Sequence, residues 1–355
     1  MEFGLSEEQT LLQDSINRYL TDQVSLDEVR KVAGGEISDA GIWQGLAELG
    51  ITGILIPESH GGVGSGNLEA AVVAECLGYH VTPVPFLSTA VIAPTALTMA
   101  GNHEELLGSI ASGEHRTGVA FGEAIGARAD ASVSISGGKI NGRSIFVLDE
   151  DADDYLVADG NHHIYLVKAN ARGLERTGLS TVDRTRSTCQ LVYNNVDAQL
   201  VSDNPQVFTV TLDTARIMQA ADTLGAAQCM LDQAVAYAMQ RKQFNRIIAS
   251  FQAVKHMCAE MAANLEPCRS FIWYASHTLD ALPEERHLVA CHTKAHLQET
   301  GQQVSKTATE VHGGMGFTDL VGLHYWFKRI GANRQLLGSP EMLREEAARI
   351  QGFAA

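Results

Sequence analysis

Apolar residues recur at helical spacing through the first third of the chain. Ser6 and Gln9 form a capping box, and Leu12, Ile16 and Leu20 follow at four-residue steps, which predicts an amphipathic helix. Residues 42–49 continue that period and stop at Gly50. The segment GILIPESHGGVGSG (53–66) breaks it with Pro57 and the Gly61-Gly62 pair and reads as a loop. Residues 67–79 and 88–101 read as two further helices, separated by VTPVP. After about residue 112 the period changes. SVSISGGKINGRSIFVL (132–148) alternates apolar and polar positions about Gly137-Gly138, a hairpin signal, and DDYLVAD, HIYLVKA and TCQLVYNNV read as further strands of a small antiparallel sheet. From residue 206 the helical period returns. Phe251, Val254, Cys258, Met261 and Leu265, spaced 3, 4, 3, 4, form the core seam of a bundle helix, and 208–240 and 284–309 have the same character. Ser339-Pro340-Glu341 starts a last helix with an N-cap hydroxyl, proline at the first position and an acid at the dipole's positive end. Its charged face, residues 344–349, is expected to face solvent. The fold class is therefore mainly α with a β middle domain: a helical N-terminal domain over 1–112, a β-domain over 113–205 and a C-terminal helical bundle over 206–355.

Composition narrows the function classes. The 355 residues are 45% hydrophobic and 19% charged, as expected of a globular protein with a large core. A net charge of −16 argues against nucleic acid or an anionic membrane as the main partner. The six cysteines (76, 189, 229, 258, 268 and 291) show no CxxC pair and no zinc-like spacing, and read as reduced core thiols of a cytosolic protein. No stretch approaches a membrane span and Met1 opens no signal-peptide pattern, so a cytoplasmic location is expected. No metal site is expected. His292 and His296 lie four residues apart, but no third ligand is in register and the HExxH glutamate is missing. DEDADD (149–154) lacks the glycine and terminal glutamate of a calcium loop and reads as a solvated acidic turn. His162-His163 reads as a turn between strands, and GSG (64–66) is too short for a dinucleotide fingerprint.

Three segments, in this order on a helix–sheet–helix frame, resemble the acyl-CoA dehydrogenase family. LIPESHGGVG (55–64) is similar to its Pro-Glu…Gly-Gly loop. QRKQFNRIIASFQAVKHMCAEM (240–261) is similar to its Arg-x-x-Phe-Gly…Phe-Gln signature, with Asn245 where glycine is usual. EVHGGMGFT (310–318) is similar to its Gly-Gly-x-Gly-Phe segment. The resemblance implies a four-helix bundle after the β-domain, a tetramer, and FAD-dependent α,β-dehydrogenation of an acyl-CoA thioester. In that chemistry a carboxylate takes the α-proton while the flavin accepts hydride from the β-carbon. It also implies that Arg241 is the cationic partner of the FAD pyrophosphate, with Gln243, Phe244 and Gln252 on the same stretch. Gly313 and Gly314 would let backbone approach the adenosine half, beside Glu310, which stands where glutamine is common. In the family these segments generally serve FAD lying against a neighbouring subunit.

The departures concern the catalytic residues. In many members the catalytic glutamate precedes Gly-Thr ahead of the last helix; aligned on Gly338-Ser339, that position is Leu337. Others carry it beside an arginine early in the C-terminal domain; here Ala215 stands beside Arg216, and the resemblance assigns Arg216 to substrate binding. Neither leucine nor alanine can take a proton, so no catalytic residue is assigned. The family's flavin-ring loop aligns with FGEAIGARAD (121–130) without its threonine and Gly-Ser pair, and its Trp-Ile-Thr element aligns with Phe146, Val147 and Leu148. This pattern resembles the non-catalytic chain of heteromeric acyl-CoA dehydrogenases, several of which act on steroid side-chain CoA thioesters. A homologous catalytic subunit is the partner so implied. An active enzyme with a relocated base (Asp213, Glu123 or Glu341) and a flavin-free scaffold or acyl-CoA-binding protein are the alternatives.

Overall fold

The computed structural model describes residues 4–126 and 131–354. The N-terminal part is built from α1 (Glu7–Gln23), α2 (Leu26–Ala33), α3 (Ala40–Glu48), α4 (Asn67–Tyr79), α5 (Ala93–Ala100) and α6 (Glu104–Ala111). The capping box forms as its sequence requires, Gln9 N–H donating to Ser6 Oγ and Ser6 N–H to the Gln9 side chain. Ile16 and Leu20 then turn into the core. The expected helix over 88–101 is divided: Phe86–Ile92 is a wider π-type turn and α5 follows it. Pro94 has no N–H to donate to the carbonyl four residues back, so one regular α-helix cannot run through it.

The sheet comprises β1 (Thr117–Ala120), β2 (Val133–Ser136), β3 (Lys139–Leu148), β4 (Asp154–Ala158), β5 (Ile164–Lys168), β6 (Leu174–Gly178), β7 (Thr188–Asp197) and β8 (Gln199–Ser202). Its order is β6-β7-β3-β1-β4-β5-β8, with β2 hairpinned onto β3 through Gly137-Gly138. The pairs are antiparallel except β1–β4, which is parallel and corrects the all-antiparallel expectation. β3 runs against β1, and the chain reverses after β3 to reach the far edge of β1, so β4 must run with β1. The acidic loop 149–154 is also corrected. Asp149 and Asp154 are buried, and Asp154 accepts from Thr117 Oγ1 (2.9 Å) and Lys168 Nζ (3.0 Å) with His115 Nε2 at 3.0 Å.

The C-terminal part runs α7 (Pro205–Gln240), β9 (Lys242–Gln243), β10 (Arg246–Ile247), α8 (Gln252–Ala281), α9 (Arg286–His312), α10 (His324–Gln335) and α11 (Pro340–Ile350). α7 to α10 bury a shared core that includes Leu224, Leu265, Leu297 and Ile330. Of the predicted seam, Met261 and Leu265 are fully buried and Val254 and Cys258 half-buried, with Phe251 capping the helix start. α4 crosses α7 at a pair of glycines. A Cβ on Gly225 would lie 1.8 Å from Glu75 O, and one on Gly78 would lie 2.0 Å from Asp222 O. This backbone-to-backbone approach locks the N-terminal helices onto the bundle. Among the described residues no helix is long and apolar enough to cross a membrane.

Candidate functional site

A cavity of about 450 Å³ opens between the sheet and the end of α10, within the size range of small-molecule sites. Phe121, Phe146 and Leu148 form one wall; Ala332, Leu336 and Leu337 form the other; Glu123, Asp183 and Arg186 supply polar edges. Phe146 and Leu148 stand where the Trp-Ile-Thr element was aligned, while Val147 points into the opposite core. Leu148 brings no hydroxyl, but its cross-strand partner Thr188 does. Registered neighbours share a sheet face, and Thr188 Oγ1 is buried in the cavity wall with no partner among the described residues. Residues 127–130, the end of the segment aligned with the flavin-ring loop, lie outside the described residues.

The turn after α10 carries the aligned base position. Leu337 is buried at φ +60, and Gly338 follows at φ +110 before Ser339 caps α11 through its hydroxyl. Left-handed backbone costs a leucine about 1–2 kcal/mol, so the surroundings must hold it. Lys294 does so. It is fully buried and donates from Nζ to Leu336 O and Gly338 O, both at 2.7 Å, and to Asn333 O at 3.3 Å. Arg216 Nε donates to Leu337 O at 3.2 Å. The rest of Arg216 is engaged beneath the turn, with Glu346 at 3.0 Å and Asp213 at 3.8 Å, and it does not line the cavity. Glu346 corrects the expectation of a solvent-facing last helix, since it turns inward to Arg216 and to His287 Nε2 at 3.0 Å. His287 Nδ1 meets Asp213 at 2.8 Å, and hydrogen bonds to Asp213 and Glu346 raise the imidazole's pKa to about 9. Ala215 is fully buried. Of the three relocated-base candidates, Glu123 alone lines this cavity; Asp213 is buried under the turn and Glu341 lies exposed beside Arg334.

Behind the cavity lies a buried polar knot that the sequence did not announce. Asp222 receives Arg329 Nη2 at 2.6 Å, Arg186 Nη2 at 2.8 Å and Asn333 Nδ2 at 2.7 Å. A second cavity of about 250 Å³, lined by Asp39, Asp149, Arg184 and Arg186, opens on its other side. Asp149 is 4% exposed, and burial raises its carboxyl from 3.8 to about 6, Arg116 offsetting part of the effect. The folded state therefore holds this proton more tightly than the unfolded chain. Its penalty is absent below pH 4, grows between pH 4 and 6 and is complete above pH 6. Asp149→Asn, which suits the left-handed backbone at φ +65, is expected to stabilise the protein by about 2–3 kcal/mol at pH 7.5 and by little at pH 4. Urea midpoints at the two pH values check this.

The residues assigned to the cofactor lie elsewhere, at one end of the bundle. β9 and β10 form a hairpin whose turn residues Phe244 and Asn245 both have positive φ, +52 and +59. Asparagine tolerates that conformation best after glycine, which explains its presence where glycine was expected. Arg241, Gln243, Phe244, Gln252, Glu310, Gly313 and Gly314 are all exposed. The Arg241 guanidinium makes no hydrogen bond or ion pair among the described residues, and a Cβ on Gly313 or Gly314 would meet nothing within 4 Å. Buried His312, at the end of α9, stacks on Tyr237 in the last turn of α7 with ring centroids 4.6 Å apart, which brings the glycine segment beside the hairpin. Phe244 and Phe317 are 86% and 82% exposed. None of these residues lines the 450 Å³ cavity.

Comparison with known proteins agrees with this architecture. Residues 6–114 match the family model of the acyl-CoA dehydrogenase N-terminal domain, and residues 206–351 that of the C-terminal domain. The acyl-CoA dehydrogenase IpdE2 of Mycolicibacterium smegmatis is 30% identical over 98% of this chain and 99% of its own length. The Tcur3481-Tcur3483 steroid ACAD superposes with a TM-score of 0.88 at 27% identity, covering 98% of both chains. A chain of the ChsE4-ChsE5 complex from Mycobacterium tuberculosis shares the fold end to end, with a TM-score of 0.90 at 24% identity. With both terminal domains matched and a relative aligned along almost every residue, this chain belongs to the acyl-CoA dehydrogenase family.

Proposed function

We propose that this chain is a subunit of a heteromeric FAD-dependent acyl-CoA dehydrogenase that desaturates the α,β-bond of an acyl-CoA thioester, with a steroid side-chain CoA as the substrate class. It brings no catalytic base and completes the FAD site of a homologous catalytic subunit. The observation that carries this reading is the turn after α10: its backbone is held at the cavity wall, and the side chain at the base position is Leu337. Ala215, at the other aligned position, is equally unable to take a proton. A cavity of about 20 Å³ between α4 and α7 has room for one water. Likeness to a steroid ACAD favours the substrate class.

FAD, when bound, supplies the hydride acceptor. The residues exposed at the bundle end fit a cofactor held mainly by another chain. Arg241 offers an unengaged cation for a pyrophosphate, Gly313 and Gly314 offer close backbone approach, and Phe244 offers apolar surface to the neighbour. Co-expression with a homologous chain, followed by flavin measurement, tests this. The chain alone is expected to hold no stoichiometric FAD and to oxidise no acyl-CoA, whereas the heteromer does both. Arg241→Ala should weaken FAD retention in the heteromer at least tenfold, as loss of a charge-assisted hydrogen bond of about 1.5–3 kcal/mol requires. Stoichiometric FAD and turnover by the chain alone would overturn the reading.

A second reading, an active chain with Glu123 as base, is favoured by that carboxylate's place on the cavity wall. Glu123 Oε1 accepts from Ile145 N–H at 2.8 Å. Turnover by the chain alone that disappears in Glu123→Gln would support it; turnover that survives would exclude it.

A further inference from the structure

We propose that His287, Cys291 and Glu346 form a binding site for a divalent metal ion of the zinc type, clamping α9 to α11 beneath the turn that carries Leu337. Three observations carry this.

The first is the donor set. His287 and Cys291 lie one helical turn apart on α9, and Glu346 faces them from α11. One nitrogen, one sulfur and one oxygen donor lie within 4.8 Å of one another. Tetrahedral zinc with bonds of about 2.0–2.3 Å places neighbouring donors about 3.3–3.8 Å apart, so small side-chain rotations close the shell. Nitrogen and thiolate with a single carboxylate select zinc over magnesium or calcium.

The second is the orientation of the nitrogen and oxygen donors. Asp213 accepts at His287 Nδ1, 2.8 Å away, which turns Nε2 toward Glu346 Oε1 at 3.0 Å. A carboxylate behind a histidine in this way fixes the tautomer that ligates through Nε2. Arg216 meets the other oxygen of Glu346, Oε2, at 3.0 Å, and keeps its bond to Leu337 O. The ion thus takes Oε1 while Arg216 retains Oε2 as an outer-sphere partner.

The third is access from solvent. His287 and Glu346 are each about one-third exposed at the side chain, so ion and water reach the site from solvent. Ligation releases one proton from His287 Nε2 and one from Cys291 Sγ, so two protons leave as two positive charges arrive.

The 355-residue chain, freed of metal by chelator and titrated with Co²⁺, provides the test. One Co²⁺ per chain is expected, with a thiolate-to-cobalt charge-transfer band in the near ultraviolet that Zn²⁺ abolishes by displacement. Cys291→Ala should remove the band. His287→Ala should weaken binding at least tenfold, and Asp213→Asn about 10–100-fold, as loss of an outer-shell partner does. His292→Ala, exposed on the same helix, should leave band and affinity unchanged. Circular dichroism of each variant separates lost ligation from lost fold. A wild-type chain showing no stoichiometric band overturns the proposal whatever the variants do, and so does a band that survives Cys291→Ala.

Discussion

Replacing Asp222 by alanine is expected to cost about 3–5 kcal/mol of folding stability. The carboxylate is the shared counter-ion of two buried guanidiniums. Arg329 reaches it through Nε and Nη2, Arg186 through Nη2 at 2.8 Å, and Asn333 donates a further bond. Arg329 also donates to Thr82 O at 2.8 Å, which ties the N-terminal helices to the bundle through the same knot. Without Asp222, two like charges remain buried together, and Asp183, 3.9 Å from Arg186, is too distant to serve both. The charge of Arg186 and Arg329 holds the Asp222 carboxyl far below its ordinary value. A depressed carboxylate contributes its full stability above the unfolded value near 3.8 and loses it as pH falls toward the folded value. The wild type should therefore weaken steeply below pH 4, and Asp222→Ala should lack that slope. Urea unfolding at pH 7 and pH 2 measures both. A cost under about 1 kcal/mol at pH 7 would show the knot to be dispensable. In a double-mutant cycle Arg329→Met should recover part of the loss, because it removes one of the two stranded charges. Arg186 lines the 450 Å³ cavity and Asn333 lies on α10, so the same variant should also loosen the cavity wall.

The architecture was legible because local signals and burial agree. The capping box at Ser6, the hairpin glycines at 137–138 and the seam ending at Met261 and Leu265 each lie where their spacing placed them. Elements without a period of their own were not. β1 is four buried residues, β6 is mostly exposed, and α10 contains Trp, Phe, Lys and Arg without a clean stripe. The bundle-end residues assigned to the cofactor were marked by motif order rather than by any one motif, and the structure leaves them exposed at one end of the bundle. Most of the polar interior was not readable. Asp222, Arg329, Arg186 and His287 come from four separate segments, and only folding gives them partners. One signal was present and unused. On α9, Ala290, Lys294 and Leu297 fall on one buried stripe, and a charge on such a stripe calls for partners. It sits inside HTKAH, between two histidines that are both exposed.

Lys294→Met should cost about 3–5 kcal/mol and release the turn that carries Leu337. The Nζ group is where three backbone carbonyls converge: Asn333 and Leu336 at the open end of α10, and Gly338 beyond it. Asn333 lies in the last turn of the helix and Leu336 caps it, and carbonyls at a helix end have no partner of their own and favour a cation. Burial and the nearby charge of Arg216 push the lysine well below its ordinary pKa, yet three acceptors around one nitrogen need the three donors of an ammonium. Methionine keeps the length and volume and supplies no donor. Each buried carbonyl left unpaired costs about 1–3 kcal/mol, and the left-handed backbone of Leu337 loses one of its two supports. Arginine is no substitute, because a planar fork cannot point at three converging oxygens in a site with no exposed surface. Urea unfolding should show the stability loss. Hydrogen exchange should show faster opening at residues 336–338 than elsewhere in the bundle, and a uniform increase would mean that Lys294 supports the helices and not the turn. The frame around Leu337 is thus built to hold one residue in a strained conformation at the cavity wall. That frame is intact although its occupant has no proton to accept or give, as the proposed division of labour between two chains requires.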